Sequence, residues 1–587
     1  MTDRRPVRIA NCSGFYGDRL RAAREMIDGG PIDVLTGDYL AELTMMILWK
    51  AKERDPSEGY ARTFLTQMED VLGDCIDRGI KVVTNAGGLA PGALTEALRT
   101  LSARLGLTTK VAWVDGDNLI DELPELMAGG QRFTHLDTGQ HLADAQVAPI
   151  TANAYLGGFG IAEALSAGAD VVVCGRVTDA SLVVGPAVWW HEWSPEDYDA
   201  LAGAVVAGHV IECGPQATGG NYSFLNEVVD RRYPGFPIAE VASNGSSVIT
   251  KHEDTGGLVS VGTVTSQLLY EIAEPAYANP DVVAHFDSIR LTQIGSDRVQ
   301  IDGVRGTPPP ETLKVALNYL GGYRNAMTLV LTGLDIEEKA SWAEVELFEI
   351  LGGKERFEEV DVHLSRFDQI DAPTNELATA HLRITVMDRD PKKVGRAFSN
   401  ATMELALGGY PGFHTTTPPS SESAFGVYWP TTIPADLVRH RVVLPDGTTK
   451  EIPHFGKASL AVDYDRPVRP GTLGGGSTTR VPLGRLCGAR SGDKGGNANV
   501  GLFALDEAAY AWLSSTLDVS AFRELLPEAS ELTIRRYELP NLWALNFVIV
   551  GLLGRGVASS VRPDPQAKGL GEYLRSRYVE VPTELLP

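Results

Sequence analysis

The 587-residue sequence lacks several features that would define a function class at once. It contains no C-x-x-C pair, and its five cysteines lie far apart, at Cys12, Cys75, Cys174, Cys213 and Cys487. This spacing argues against a disulfide framework or a thiolate zinc site and favours a reducing compartment. The longest apolar run, 542–553, is interrupted by Asn546 and is shorter than the ~18 residues of a membrane-spanning helix. Residues 1–12 show no apolar leader, so we expect a cytoplasmic protein outside the membrane.

Positive charge is also scarce, with 52 Lys and Arg against 76 Asp and Glu and a net charge of −24. Because such a surface repels phosphate backbones and no basic tract offsets it, nucleic acid is not expected as a partner. Nucleotide motifs are missing too. Gly14-x-x-Gly17 lacks the third glycine of a dinucleotide fingerprint, and no Walker motif occurs, which argues against NAD and ATP. The remaining composition, 43% hydrophobic and 22% charged, is typical of a globular protein.

Short β-branched runs alternate with helical patterns over the first ~190 residues. The predicted strands are 7–10, 33–35, 81–84, 110–114 and 170–173. The predicted helices are 19–26, 41–50, 62–78, 93–105 and 160–167. Near-continuous apolar strands separated by amphipathic helices predict βαβ units, and therefore an α/β fold with a parallel, doubly wound sheet.

The pattern changes beyond about residue 250, where predicted strands follow one another with few long helices. These strands are 258–267, 299–301, 327–331, 360–364, 380–386 and 439–444. A Pro-, Gly-, Ser- and Thr-rich stretch then predicts an exposed linker, followed by a small α+β sandwich. We therefore divide the chain into an α/β part (1–250), a mixed α+β part (251–465), a linker (466–479) and a C-terminal domain (480–587).

Small and polar residues follow the predicted strands at the carboxyl edge of the sheet, where doubly wound folds bind ligands. The candidate binding residues here are Gly14, Asp18, Asp38, Asn85, Gly87, Gly88, Arg176 and Asp179. Arg176 is the candidate clamp for an anion, because a guanidinium pairs bidentately with a carboxylate. Tight turns and helix caps use the same residue types, and an Arg176–Asp179 pair that only ties its loop is the alternative.

A thiol, an imidazole and a carboxylate stand together in segment 208–222. If the segment is helical, His209 lies one turn from Cys213 and would activate the thiol as a nucleophile, with Glu212 orienting or protonating. Backbone N–H groups of Gly219 and Gly220, beside Asn221, would then stabilise an oxyanion. The alternatives are a buried structural cysteine, or a metal held by His209 and Glu212, although no other ligand spacing reinforces a metal site. We predict no bound cofactor.

The C-terminal domain carries a second dense cluster, residues 488–501, directly after a predicted strand. Its glycines predict a nest of backbone N–H groups, to which Lys494 adds a point charge for an anion. The candidate binding residues of this cluster are Ser491, Asp493, Lys494 and Asn497. The alternative is a structural loop that holds the larger domain.

Six motifs, taken together and in this order, resemble the acyclic terpene utilization AtuA family. They are IANCSGFYGDR, GDYLAELTM, NAGGLAPGAL, GADVVVCGRVTDASL, HVIECGPQATGGNYS and ARSGDKGGNANVGLF. The resemblance covers nearly the whole chain and implies an AtuA-type region to about residue 465, followed by a ferredoxin-fold domain. It also implies catabolism of terpenoid or branched acids alongside acyl-CoA carboxylases, dehydrogenases and hydratases. It assigns no catalytic residue.

We therefore expect a catabolic enzyme that acts on an acyl-CoA or carboxylate intermediate of acyclic terpene or branched-chain acid degradation. The step would be acyl transfer, thioester hydrolysis, or a C–C lyase or hydratase reaction, with coenzyme A as part of the substrate. Two alternatives stay open. One is a non-catalytic assembly or accessory subunit of an acyl-CoA carboxylase-type complex, and the other is a metal-dependent hydratase or lyase. A symmetric homo-oligomer is expected for an α/β protein of this size.

Overall fold

The computed structural model describes residues 4–457 and 476–586, so most of the predicted linker lies outside the described residues. The chain forms two compact units. The first contains Met1–Asn318, Tyr428–Val557 and Asp564–Pro587, and the second contains Tyr319–Val427 and Ala558–Pro563. The helices of the described ranges fall short, in length or hydropathy, of what a bilayer crossing needs.

The N-terminal part of the first unit alternates strands and helices as the sequence predicts. Its strands are β1 (Val7–Asn11), β2 (Val34–Gly37), β3 (Lys81–Thr84), β4 (Val111–Asp115), β5 (Pro149–Ala154), β6 (Val171–Cys174), β7 (Pro237–Val241) and β8 (Ser247–Lys251). Its helices are α1 (Ala22–Asp28), α2 (Glu42–Arg54), α3 (Arg62–Arg78), α4 (Pro91–Arg104), α5 (Leu123–Ala128), α6 (Leu142–Ala145), α7 (Phe159–Ser166), α8 (Ser181–His191) and α9 (Tyr198–Ile211).

Five of these strands form the parallel centre of the main sheet, in the order β1, β2, β3, β6, β4. Val171 and Val173 of β6 are fully buried, as expected for a strand covered on both faces. Phe64 of α3 and Leu98 of α4 belong to the core that packs on the sheet, whereas α8 packs on β1 and β2. The predicted α/β fold is confirmed.

The following segment, up to residue 457, adds mainly antiparallel structure. Its strands are β9 (Ala276–Ala278), β10 (Val283–His285), β11 (Arg290–Gly295), β12 (Arg298–Asp302), β13 (Arg305–Thr307), β14 (Thr312–Thr332), β15 (Glu359–Ser365), β16 (Thr379–Asp388), β17 (His414–Thr415), β18 (Ser423–Pro434), β19 (Arg441–Val443) and β20 (Thr449–Glu451). Its helices are α10 (Val261–Leu268), α11 (Ile336–Leu351), α12 (Pro391–Val394) and α13 (Arg396–Gly408). Strands β7, β8, β12 and β11 extend the main sheet beyond β1, and β19 and β20 extend it beyond β4.

The strand predicted at 258–267 is wrong, because this segment contains helix α10. The Ser260 side chain accepts the backbone N–H of Thr263 and so caps the first turn of the helix. The β-branched residues of this segment favour a strand. The helix buries Val264 and Leu268 in the core, and this burial outweighs the local preference.

The second unit is built on an antiparallel sheet in the order β15, β16, β14, β17. Leu329 of β14 and Ile384 of β16 form its core with Leu347 of α11 and Phe398 of α13. The mixed character predicted for this part of the chain is confirmed.

The C-terminal part of the first unit is a small α+β sandwich, as predicted. Its elements are β21 (Thr478–Pro482), β22 (Cys487–Lys494), β23 (Asn497–Ala504), α14 (Glu507–Thr516), α15 (Val519–Leu525), β24 (Ile534–Leu539), β25 (Ala544–Ile549), α16 (Leu570–Ser576) and β26 (Tyr578–Pro582). Strands β22, β23, β25 and β24 form an antiparallel sheet. Phe522 of α15 stacks on Phe547 of β25 with ring centroids 4.1 Å apart. The four domain boundaries given above stay predictions.

Candidate functional site

The loops after β2 and β3 meet at the carboxyl edge of the main sheet, as the strand pattern predicts. Asn85 lies after β3 and donates its side-chain N–H to Asp38 Oδ1 at 2.6 Å. The Asn85 amide oxygen accepts the Tyr39 N–H at 2.8 Å, which fixes the orientation of the amide. Both Asp38 and Asn85 are buried. Asn85 is therefore a positioning residue for the Asp38 carboxyl group.

The loop after β6 brings Arg176 and Asp179 to the same edge. Arg176 Nη2 lies 2.9 Å from Asp179 Oδ1, and Nη1 donates to the Leu40 carbonyl at 2.9 Å. The guanidinium also lies 4.2 Å from the centroid of the Tyr155 ring, a cation–π contact. The Asp179 side chain is 30% exposed, although its Oδ1 atom is buried against Arg176.

The end of helix α9 is held against the loop after β1. The Asn11 side-chain N–H group donates to the carbonyls of Ile211 at 2.6 Å and Glu212 at 3.0 Å. A Cβ on Gly14 would lie 2.8 Å from the Cys213 carbonyl carbon, so only glycine allows this approach. The segment is helical as far as Glu212, since α9 includes His209 and the backbone keeps its helical conformation at Glu212, whereas Cys213 lies just beyond the helix, where a short 3-10 turn begins. Glu212 and Cys213 are thereby fixed beside the loops described above.

Three carboxyl groups lie close enough there to perturb one another. Burial raises the pKa of Asp38, and the nearby carboxylate of Asp179 raises it further. Burial likewise raises the pKa of Glu212, with Asp179 and Glu271 adding to the effect. Burial also raises the pKa of Asp179, although Arg176 opposes the rise. Like charges in a partly desolvated site oppose one another's ionisation, so each of these carboxyl groups holds its proton to a higher pH than it would in water.

The Cys213 thiol lies near these carboxyl groups, whose negative charges oppose its ionisation. Burial raises the pKa of Cys213 well above its usual range, and the carboxylates of Glu212 and Glu271 raise it further. Burial lowers the pKa of His209 to about 4, and its ring packs 5.4 Å from the Tyr277 ring. The His209 Nδ1 atom lies 3.3 Å from Glu212 Oε1. A neutral thiol and a neutral imidazole do not form the thiolate–imidazolium pair of a cysteine nucleophile.

The C-terminal sandwich contributes Lys494 to the site. Lys494 Nζ donates to the Glu271 carbonyl at 2.8 Å and lies 6.0 Å from the centroid of the Tyr277 ring. Its charge lowers the pKa of Glu212, against the larger effect of burial, which places the ammonium near the carboxyl cluster. The role of Lys494 as an anion ligand stays a prediction.

The predicted nest at 488–501 is wrong, because the segment is the β22–β23 hairpin, which turns at Gly495 and Gly496. The two strands of the hairpin bond to each other, and on the outer edge of β22 the Ala489 N–H donates to Ser223 Oγ. The glycines of the hairpin instead leave room for neighbouring side chains. A Cβ on Gly492 would lie 2.4 Å from the Tyr270 ring, and one on Gly501 would lie 2.4 Å from the Leu269 side chain.

The predicted oxyanion hole is not formed. The N–H groups of Gly219 and Gly220 both donate to the Pro215 carbonyl. Asn221 is exposed and has a left-handed backbone, with φ of 59°. A turn that uses its own N–H groups in this way has none to offer a substrate oxygen.

Several other predicted binding residues make contacts within the protein. Asp18 accepts the N–H groups of Gly14 and Arg19, at 2.8 and 2.7 Å. Ser491 Oγ accepts the Gly571 N–H at 2.8 Å, and Asn497 donates to Asp137 at 2.7 Å. These contacts give each side chain a structural role.

Gly87 and Gly88 also serve packing. A Cβ on Gly87 would lie 2.5 Å from the Cys174 carbonyl oxygen, and one on Gly88 would lie 2.3 Å from the Leu48 side chain. Asp493 belongs to the hairpin and lies 3.8 Å from Lys568 Nζ. Ligand binding by these three residues stays a prediction.

Two charged residues of the site escape the sequence analysis. Glu271 lies just beyond α10, and its backbone N–H donates to Asn499 Oδ1 at 3.0 Å. Lys314 lies on β14, with its ammonium 4.9 Å from the centroid of the Tyr155 ring and 5.6 Å from that of Tyr428. A correct assignment of helix α10 would have placed Glu271 at a helix end, but no local pattern marks Lys314.

Among the described residues, His209 and Glu212 gain no third metal ligand. Within the described ranges, no group of three or more His, Cys, Asp and Glu side chains has an arrangement that could hold a metal ion.

The fold and this site define an α/β protein with a partly buried acid–base cluster at the carboxyl edge of its main sheet. The family model described as "Acyclic terpene utilisation family protein AtuA" matches residues 7–444, and the one described as "AtuA ferredoxin-like domain" matches residues 481–580. The first match spans more than half of the 587 residues, so the chain belongs to the AtuA family. Membership implies a role in acyclic terpene utilisation. No curated protein matches the chain.

Proposed function

We propose that this chain is an enzyme of acyclic terpene degradation that transfers protons on an acyl-CoA or carboxylate intermediate, in a hydratase- or lyase-type step. One observation carries the proposal: Asp179 pairs with Arg176 at 2.9 Å, the same guanidinium acts electrostatically on Asp38 and Glu212, and burial raises the pKa of all three carboxyl groups. Raised carboxyl pKa values are the property that general acid–base catalysis at neutral pH requires.

In the hydration direction, one ionised carboxylate accepts a proton from water as the water oxygen bonds to the β-carbon of an enoyl group. A neighbouring carboxylic acid donates its proton to the α-carbon, so that the elements of water are added across the double bond. Arg176 and Lys494 supply the positive charge that stabilises the thioester oxygen or a substrate carboxylate. Acyl transfer through Cys213 fits less well, because the neighbouring carboxylates oppose formation of the thiolate.

The test is to incubate the full chain with branched enoyl- and hydroxyacyl-CoA thioesters in D2O and to follow water addition and deuterium incorporation by mass spectrometry. We expect Glu212→Gln and Asp179→Asn to lower turnover by about 10²- to 10⁴-fold, the usual contribution of general acid–base groups. Glu125→Gln, an exposed carboxylate on α5, is the matched control and should retain activity.

Cys213→Ser separates the two chemical routes. Under the proposal it keeps most of the activity, whereas loss of activity together with a trapped acyl-enzyme in the wild type would establish covalent catalysis instead. Inertness toward every thioester, combined with a stoichiometric carboxylase partner in pull-downs, would contradict the enzyme proposal and favour an accessory subunit.

A further inference from the structure

Arg490 is a buried arginine whose side chain contacts a neutral amide instead of a carboxylate. It lies on β22 and is 6% exposed. Its guanidinium donates to the amide oxygen of Gln216, and within the described part of the chain no Asp or Glu forms an ion pair with it. Glu271 acts on Arg490 only at longer range. Because an unpaired buried charge costs stability, an anion that paired with this arginine would offset that cost through charge-assisted hydrogen bonds.

A second cation lies on the same aromatic ring. The Arg490 guanidinium lies 4.3 Å from the centroid of the Tyr270 ring, and Lys568 Nζ lies 4.3 Å from the same centroid. Lys568 Nζ also donates to the Tyr270 hydroxyl, and Asp493 Oδ1 lies 3.8 Å from it, which is a long ion pair. Gly492 permits this arrangement, since a Cβ there would collide with the Tyr270 ring. Both cations therefore contact the same aromatic ring, and the ion pair of Lys568 with Asp493 is a long one.

This basic pair is close to the acid–base cluster. Both Arg490 and Lys568 act electrostatically on Cys213, which follows Glu212 directly in the chain. An extended anionic substrate could therefore contact the carboxyl cluster and the basic pair at the same time.

We propose that Arg490 and Lys568 form an oxyanion subsite, distinct from Arg176, that binds a phosphate or carboxylate group of the substrate remote from the reacting carbon. The identity of that substrate rests on the proposed function, whereas the subsite itself rests on the buried arginine. Two sources supply this chemistry: the phosphates of coenzyme A, and a second carboxylate on the acyl chain.

Calorimetric titration of the full chain with coenzyme A, glutarate and inorganic phosphate tests the subsite without any need for turnover. We expect at least one of these probes to bind the wild type. Arg490→Met should weaken that binding by about 10- to 100-fold, the range for a charge-assisted contact to an anion. Arg535→Met, an exposed arginine on β24, is the matched control and should bind like the wild type.

Gln216→Glu is the sharper variant, because it places a carboxylate where the neutral amide contacts Arg490. We expect it to raise the melting temperature of the unliganded protein and to abolish binding of the probe, since the arginine is then already paired. A phosphate source is indicated if coenzyme A binds and glutarate does not, and a carboxylate source by the reverse.

The proposal is overturned if no probe binds, or if Arg490→Met and Gln216→Glu bind as the wild type does. It is equally overturned if Arg490→Met lowers the melting temperature without affecting binding, which would give Arg490 a role in folding alone. These results are independent of the proposed function, because calorimetry measures binding without turnover, and Glu212→Gln, which lowers turnover under the proposed function, should still bind the probe.

Discussion

At the scale of single residues, Gly14 allows the loop after β1 to approach the Cys213 backbone closely, because it has no side chain. Gly14→Ala places a Cβ 2.8 Å from the Cys213 carbonyl carbon, and a backbone atom cannot move aside as a flexible side chain can. We expect a loss of about 1–3 kcal/mol in the free energy of unfolding and a drop in turnover, because Glu212 shifts with Cys213. Denaturant titration and the thioester assay measure the two effects.

Gly17→Ala is the control for that variant. Its Cβ would contact only the Phe15 ring, whose side chain is exposed and can rotate away. Equal destabilisation by the two alanines would contradict the assigned role of Gly14.

Asp281 gives a prediction of pH dependence at the same scale. It is buried, accepts the Gly158 N–H at 2.8 Å, and burial raises its pKa from 3.8 to about 6. The folded state therefore holds this proton more tightly than the unfolded state does, so the contribution of Asp281 to stability falls as pH rises from 3.8 to about 6. An asparagine side chain at this position imitates the protonated form at every pH.

We therefore expect Asp281→Asn to be more stable than the wild type at pH 7, by about 3 kcal/mol on the usual conversion of pKa shifts. This advantage should disappear below about pH 4, where both states of the wild type bind the proton. Unfolding curves at several pH values measure the difference, with exposed Asp436→Asn as the control. An advantage that does not vary with pH would rule out the titration of Asp281 as its cause.

At the scale of elements, helix α3 and strand β3 are predictable from the sequence to the residue. Phe64, Met68 and Leu72 of α3 recur at helical spacing and are all buried, and Gly79 ends the helix with a left-handed φ of 69°. Helix α10 and the β22–β23 hairpin are not predictable in this way. The β-branched residues of α10 and the glycines of the hairpin are determined by contacts with distant parts of the chain, which a local sequence pattern does not contain.

The residues of the candidate site likewise fall into a group that the sequence predicts and a group that it does not. Asp38, Arg176 and Asp179 are predictable because the ends of buried parallel strands can be located in the sequence, and such ends converge at one edge. Glu271, Lys314 and Lys568 are not, since each reaches the site from a distant part of the chain through the packing of the first unit.

The segment after α10 is held by two fully buried asparagines of the C-terminal sheet. Asn499 donates to the Leu269 carbonyl at 2.8 Å and accepts the Glu271 N–H, while Asn546 donates to the Ala273 carbonyl at 2.7 Å. Asn499→Ala leaves buried backbone groups unpaired, and we expect a loss of about 1–3 kcal/mol in unfolding free energy. Amide hydrogen exchange should also become faster at Glu271.

Asn497→Ala is the matched control, because this side chain on the same strand contacts Asp137 and Gly551 instead. Unchanged exchange at Glu271 in Asn499→Ala would show that the asparagine does not hold the segment.

At the scale of the whole molecule, the C-terminal sandwich completes the first unit, which it joins through buried polar contacts. Besides the asparagine contacts, Asn541 donates to the Phe286 carbonyl at 2.8 Å and Ser223 Oγ donates to the Ala489 carbonyl at 2.9 Å. Separating the two parts would leave these groups without partners and expose Leu269, which packs at Gly501. It would also remove Lys494 and Arg490 from the site.

We therefore expect residues 1–457 and 476–587, expressed as separate chains, to associate when co-produced and to elute as one species in size-exclusion chromatography. Residues 1–457 alone should have a lower melting temperature and no turnover, and adding the second chain should restore both. Asn499→Ala in the second chain should weaken the association, whereas Arg535→Met should not. If each fragment folds as a stable monomer and the two do not associate, the sandwich is an independent module and the site does not depend on it.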